Sequence, residues 1–254
     1  MNLCRHFQAE LETSFSVLQQ HLKLEIHCSN QQAITLADLF DDSICRQVLQ
    51  DFATRIHATN QRCATSLFIK YWATLWVLPF LYCQAASLPF VKWQPSIFIV
   101  ELPETWNWER RIQLADSAGY ACHSMSLPEL DAMLLQFSGL LQQIARVGRV
   151  SYALLWENVA VRMLQFYRSL AAQQDLDNDM RIRLQQQQQQ LKAKSAQSFN
   201  LPENPFLKLC NNWHPEYNTY MRQKCCFYFQ LEEAGGELCR NCPLQLKKTT
   251  EMKS

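Results

Sequence analysis

The chain has 254 residues, 48% of them hydrophobic, and a net charge of +1 at neutral pH. That length supports a sizeable core in one or two domains. The balanced charge and the absence of a long basic run exclude a nucleic-acid binder that tracks phosphates.

From the N-terminus, Phe7, Leu11, Phe15, Leu18 and Leu22 recur at helical spacing over 5–24, and Leu24 to Cys28 reads as a short extended piece. Ser43 is a candidate cap for a helix to about His57, with Ile44, Val48, Phe52 and Ile56 four apart, and Asn60 is expected to end it. A long apolar helix is predicted over 62–86, kinked near Pro79. Within it Tyr71 to Ala86 is an apolar run that follows Lys70 and contains Pro79 and Gln84. It is shorter than the roughly 20 residues of a membrane span, so a buried helix is expected and no span. Pro89, Pro95 and Pro103 interrupt the helical pattern, and Ser96 to Glu101 reads as a strand, so a small β element is expected near 96–114. Ser126-Leu127-Pro128-Glu129 has the form of a capping box for a helix to Val147, stopped at Gly148. Further helices are expected from Ser151 to about Ala172 and from Asp177 onward. The run Gln185–Gln190 offers no apolar face and is expected to fade into a solvated linker. The predicted class is therefore mainly α with a small β element. A helical domain over 1–195 is followed by a C-terminal metal-binding segment over 196–254.

Eleven cysteines are many for this length. Seven are scattered singly, mostly inside apolar periodic segments, as buried free thiols in a reducing compartment would be. The N-terminal Met1-Asn2-Leu3-Cys4-Arg5-His6 lacks the charged-then-apolar order of a signal peptide, and a cytoplasmic protein is expected. The other four cysteines fall within eighteen positions: Cys225-Cys226, twelve residues, then Cys239-Arg240-Asn241-Cys242. A Cys-x-x-Cys loop aims two sulfurs at one point, the half-site of a soft metal or an iron–sulfur cluster. Adjacent cysteines diverge in an extended strand, which suits two metal atoms better than one. Gly235-Gly236 between the pairs supplies a hinge. Read from the residues alone, a [2Fe-2S] cluster, a structural zinc site and a thiol–disulfide pair all remain open. No P-loop, GxGxxG or Ser-His-Asp pattern is present to suggest nucleotide, flavin or acyl chemistry.

Arg222, Cys225-Cys226-Phe227-Tyr228 and Cys239-Arg240-Asn241-Cys242-Pro243 together resemble the C-terminal signature of the ferric siderophore reductase family of the FhuF type. The twelve-residue gap is slightly longer than that family's. A weaker likeness extends to Tyr71-Trp72-Ala73 and to Leu155-Trp156-Glu157-Asn158-Val159-Ala160. The resemblance implies a [2Fe-2S] cluster on Cys225, Cys226, Cys239 and Cys242, and one-electron reduction of iron(III) bound by hydroxamate siderophores. It also implies a substrate-facing helix carrying Trp156 and Asn158. Arg222, Lys224 and Arg240 flank the ligands and are expected to raise the cluster potential, since cations favour its more negative form. Cys210 and His214 are expected to be bystanders. With no nucleotide motif, the electron donor is expected to be a separate ferredoxin or flavin reductase. No nucleic acid is expected as a partner, and contact with the membrane would be peripheral, at the inner membrane. The alternatives are an electron carrier without a siderophore pocket, or a zinc-stapled interaction or siderophore-assembly protein.

Overall fold

The computed structural model describes residues 2–29, 32–106, 110–115, 122–123 and 127–246. Among these, α1 (Asn2–Leu22), α2 (Asp42–Arg55), α3 (Gln61–Ala86), α4 (Leu127–Val147), α5 (Tyr152–Ala171), α6 (Asn178–Ala193) and α7 (Pro205–Cys210) form the body. Strands β1 (Glu25–Ser29), β3 (Phe98–Ile99) and β4 (Arg111–Ala115) make a small sheet ordered β1-β4-β3, parallel between β1 and β4 and antiparallel between β3 and β4. Two short antiparallel pairs complete the β structure: β2 (Phe90–Val91) with β5 (Cys122–His123), and β6 (Trp213–His214) with β7 (Thr219–Tyr220). The mainly helical class with a small β element is what the structure has. The expected strand at 96–101 is shorter, because Pro95 opens a 3-10 turn that takes Ser96 and Ile97.

The axis of the fold is α3. It is apolar nearly all round, as a helix enclosed by others must be, and α1, α2, α4, α5 and α6 pack on it. Its length and composition alone would suit a membrane crossing, but 83% of the relevant window is buried inside the fold. Phe68 anchors an aromatic ladder, with Phe52 edge-on at 5.2 Å, Trp76 at 5.8 Å, and Trp76 stacked on Trp72 at 5.6 Å. At the far end of α4, a Cβ on Gly148 would lie 2.2 Å from Thr65 Oγ1 of α3, so only glycine allows the two backbones this close.

The helix ends correct three expectations. Asp41, not Ser43, caps α2, its carboxylate accepting from the Ser43 and Ile44 amides. Asn60 does not end α2 but starts α3, accepting from Cys63 N at 3.0 Å. The third correction concerns the glutamine run, which is no linker. It lies wholly within α6, whose first turn is capped by Asp177. Gln187 is buried and donates to Leu81 O at 3.3 Å and Gln84 Oε1 at 2.9 Å, while Gln190 reaches Asp131 at 3.3 Å. A glutamine needs no apolar face to be packed if a backbone carbonyl and an amide oxygen on the next helix accept its N–H groups. The Ser126 end of the expected capping box lies outside the described residues.

The expected boundary at residue 195 falls just after α6, but the two sides share one core. Trp156 of α5 meets Phe199 at 5.0 Å and Phe206 at 6.3 Å, and Tyr152 donates to Phe199 O. Asn204 donates to the Leu191, Lys192 and Lys194 carbonyls, closing the end of α6 onto α7.

Replacing Gln185–Gln190 by alternating glycine and serine should lower the melting temperature by about 10 °C. The helix-propensity loss alone sums to about 3 kcal/mol, and each kcal/mol moves a chain of this size by about 2–4 °C. Alanine at the exposed Gln185, Gln186 and Gln189 should change stability by less than about 0.5 kcal/mol per site. Equal tolerance of both replacements in thermal unfolding would return the run to a linker.

Candidate metal centre

The C-terminal segment reaches the helical body through a few directed bonds. Met221 N donates to Asn212 O at 2.9 Å, which sets the chain leaving β7. The buried carboxylate of Glu157 on α5 accepts from the Gln223 and Lys224 amides at 3.1 and 2.9 Å, pinning the turn that enters Cys225. Burial raises the Glu157 pKa, and these two amides oppose the rise. Phe227 then takes φ +65°, a left-handed conformation rare for a bulky residue. Its amide meets Cys225 Sγ at 3.4 Å, and its carbonyl accepts from Cys63 Sγ of α3 at 3.4 Å. Gly235 and Gly236, at φ +52° and +82°, turn the chain back toward Cys239, as the hinge reading expects.

The four cysteines meet as two pairs. Cys225 Sγ lies 3.8 Å from Cys242 Sγ, and Cys226 Sγ lies 3.6 Å from Cys239 Sγ. The adjacent cysteines therefore do diverge, and each meets one sulfur of the Cys-x-x-Cys loop. Two thiolates on one tetrahedral metal, with metal–sulfur bonds of about 2.3 Å, lie about 3.8 Å apart. Both pairs have that separation. Among the described residues no group of three or more His, Cys, Asp or Glu side chains is arranged around a single metal ion. Two such edges offer one pair of sulfurs to each of two irons, as a [2Fe-2S] cluster requires. Contact with Cys239 and then burial push the Cys226 thiol up to about 12.

Arg222 is the residue the sulfurs share. It is 1% exposed, and its guanidinium donates to Cys226 Sγ at 2.9 Å, to Cys239 Sγ at 2.8 Å and to Asn158 Oδ1. Burial works against its charge, and Cys226 and Cys239 outweigh that effect. Lys224 and Arg240, grouped with it in the sequence reading, are exposed; Arg240 donates to Asn218 O at 3.3 Å. Their charge is screened by water, so of the three cations Arg222 alone is in place to act on the sulfurs.

Trp156 and Asn158, placed by the resemblance on a substrate-facing helix, are both core side chains. Trp156 is fully buried in the aromatic core, its indole N–H donating to Tyr152 OH at 2.8 Å. Asn158 is fully buried, donates to Ser66 O and Oγ at 3.0 Å and accepts from Arg222. It orients the residue that holds the sulfurs. His214 is bonded to Glu216 and Asn212, and Cys210 is paired with Lys192.

Beside the sulfurs lies a cleft of about 760 Å³ between α3, α5 and the C-terminal segment, with Cys239 in its wall. A second lobe of about 460 Å³ shares Lys70, Tyr71, Arg162, Gln165 and Ser169 with it. Lys70 and Arg162 are site residues that sequence reasoning passed over. The signal was present: Asn158, Arg162, Gln165 and Ser169 recur at i, i+4, i+7 and i+11 along α5, and Ser66, Lys70 and Thr74 at four-residue steps along α3. Each is a polar stripe on an otherwise apolar helix.

Arg222→Gln should lower the reduction potential by about 100 mV. A unit charge at about 4 Å through an effective dielectric of about 20 is worth about 4 kcal/mol, part of which entering water would restore. Lys224→Gln and Arg240→Gln should each shift it by less than about 20 mV. Redox titration followed by visible absorption checks both, and equal shifts from all three would overturn the ranking. Anaerobically purified protein should hold about two irons and two acid-labile sulfides per chain. One zinc and no colour would refute the two-metal reading.

Residues 222–244 match the FhuF 2Fe-2S C-terminal domain. No curated protein and no solved structure matches the chain. The matched stretch begins at Arg222 and spans both cysteine pairs, and the four cysteines fit a [2Fe-2S] cluster. Residues 222–244 thus resemble a FhuF-type 2Fe-2S C-terminal domain, and this stretch is the iron–sulfur part of the chain.

Proposed function

We propose that the chain is a cytoplasmic ferric-siderophore reductase, which delivers one electron to iron(III) in a hydroxamate cage and releases iron(II). The observation that carries this reading is the cleft with Cys239 in its wall. An electron carrier needs only an exposed edge, whereas a reductase needs a concave site beside its redox centre, and ligand sites generally run to about 300–1,000 Å³. The division of labour follows: residues 196–254 hold the cofactor, and residues 1–195 supply most of the cleft.

When bound, the cluster supplies a centre that gains and loses one electron. The protein's residues do the rest. Cys226 and Cys242 are buried while Cys225 and Cys239 are half-buried, so the sulfurs are sheltered from water on one side and accessible on the other. Tyr71, Trp213 and Tyr228 give the cleft aromatic walls against which a flexible chelate can lie. No acid, base or nucleophile is required. Hydroxamate oxygens are hard donors that hold iron(III) far more firmly than iron(II), so the reduced ion leaves. The electron reaches the protein from a separate ferredoxin or flavin reductase, and any membrane contact is peripheral.

Chemically reduced protein, mixed anaerobically with a ferric trihydroxamate, should be reoxidised by one electron per cluster, with iron(II) appearing in equal amount. An uphill gap of about 180 mV is a factor of about 10³ for one electron, which an iron(II) chelator offsets by mass action. The chelator should therefore raise the yield. A reduced spectrum that persists with every ferric hydroxamate, chelator included, replaces this reading with an electron carrier.

A further inference from the structure

The cleft is cationic beyond what the sulfurs require. Lys70, midway along α3, is 4% exposed and lines both lobes. Its Nζ lies 4.7 Å from the Tyr228 ring centroid and 5.6 Å from that of Tyr71. Among the described residues it has no carboxylate within ion-pair distance. Arg162 faces the same space from α5, with Gln165 Oε1 at 3.4 Å and the Tyr71 ring at 5.8 Å as its contacts. Across both lobes the described lining holds five cations, including Arg110, Arg168 and Arg240, and one carboxylate, Glu237, which is exposed. The buried carboxylate nearby, Glu157, is turned to the amides of Gln223 and Lys224.

Burying an ammonium group without a counter-charge costs several kcal/mol. Four thiolates, two iron(III) ions and two sulfides carry about −2, and Arg222 already forks onto two of the sulfurs. Lys70 and Arg162 are drawn toward Cys226 and Cys239, but together with Arg222 they carry about +3 against about −2, so the oxidised centre leaves about one positive charge unanswered. A neutral ferric trihydroxamate brings nothing to meet it. A chelate with a pendant carboxylate does, and desolvated pairs of this kind are worth more than exposed ones.

We propose that the cleft selects ferric hydroxamates bearing a pendant carboxylate, with the carboxylate between Lys70 and Arg162 and the iron core toward Cys239. This rests on the reductase reading and names its substrate class.

The test uses one linear trihydroxamate whose free amine is either succinylated, giving an anion, or acetylated, giving a neutral chelate with the same iron-binding groups. Binding is measured with redox-inert gallium(III) complexes by quenching of protein fluorescence, and turnover with the iron(III) complexes. At about 50 mM salt the anionic chelate should bind at least about tenfold tighter, and the gap should narrow at about 0.5 M salt. Lys70→Met and Arg162→Gln should each narrow it to about twofold. Affinities within twofold of each other for the intact protein overturn the proposal, whatever the variants do, and leave the reductase reading standing if both iron complexes are reduced. Tight, selective binding of the anionic gallium complex without reoxidation of reduced protein by either iron complex supports the carboxylate site and removes the reductase reading.

Discussion

A guanidinium buried against two sulfurs is the constraint on which the rest of this structure depends. Arg222 has almost no contact with water, and its donors go to Cys226, Cys239, Asn158 and the Asn241 carbonyl. A buried cation is tolerable only where negative charge and hydrogen-bond acceptors surround it. Here the negative charge comes from thiolates, not a carboxylate, so the folded C-terminal segment presupposes deprotonated sulfurs.

That constraint reaches into the helical body through α5. Glu157 and Asn158 are neighbours in sequence and point at different parts of one loop: Glu157 takes the amides entering the first cysteine pair, and Asn158 takes the arginine. Asn158 is itself fixed by Ser66 on α3. The two most buried helices therefore determine where the sulfurs sit, and the aromatic contacts of Trp156 with Phe199 and Phe206 hold the segment on them.

How much of this was legible in the sequence depended on whether the signal was local. The four cysteines, the Gly235-Gly236 turn, the mainly helical class and most helix spans follow from spacing and caps that lie within a few residues of one another. What was misread depends on partners far along the chain. Gln187 looks solvated until Gln84, over a hundred residues earlier, is placed beside it. Trp156 and Asn158 mark the right helix, but a helix near a site has several faces, and periodicity does not say which face a tryptophan takes. Arg222, Lys224 and Arg240 look equivalent in sequence; only burial separates them. Lys70 read as the flank of an apolar run because its neighbours along the chain are apolar, although its stripe along α3, with Ser66 and Thr74, is polar.

The same field that tunes the centre acts on whatever docks beside it. Cations near the sulfurs make the cluster easier to reduce and so a weaker reductant, which alone would work against the proposed reaction. But a ferric chelate in the cleft also becomes more negative on accepting the electron, and Lys70 and Arg162 favour that form as well. Where both partners feel similar charge, the two shifts nearly cancel in the driving force. What survives the cancellation is binding. Cations placed on the wall the two partners share attract an anionic chelate, with little loss of reducing power toward it. Cations placed on the far side of the sulfurs, away from the cleft, would have cost the protein driving force without that gain.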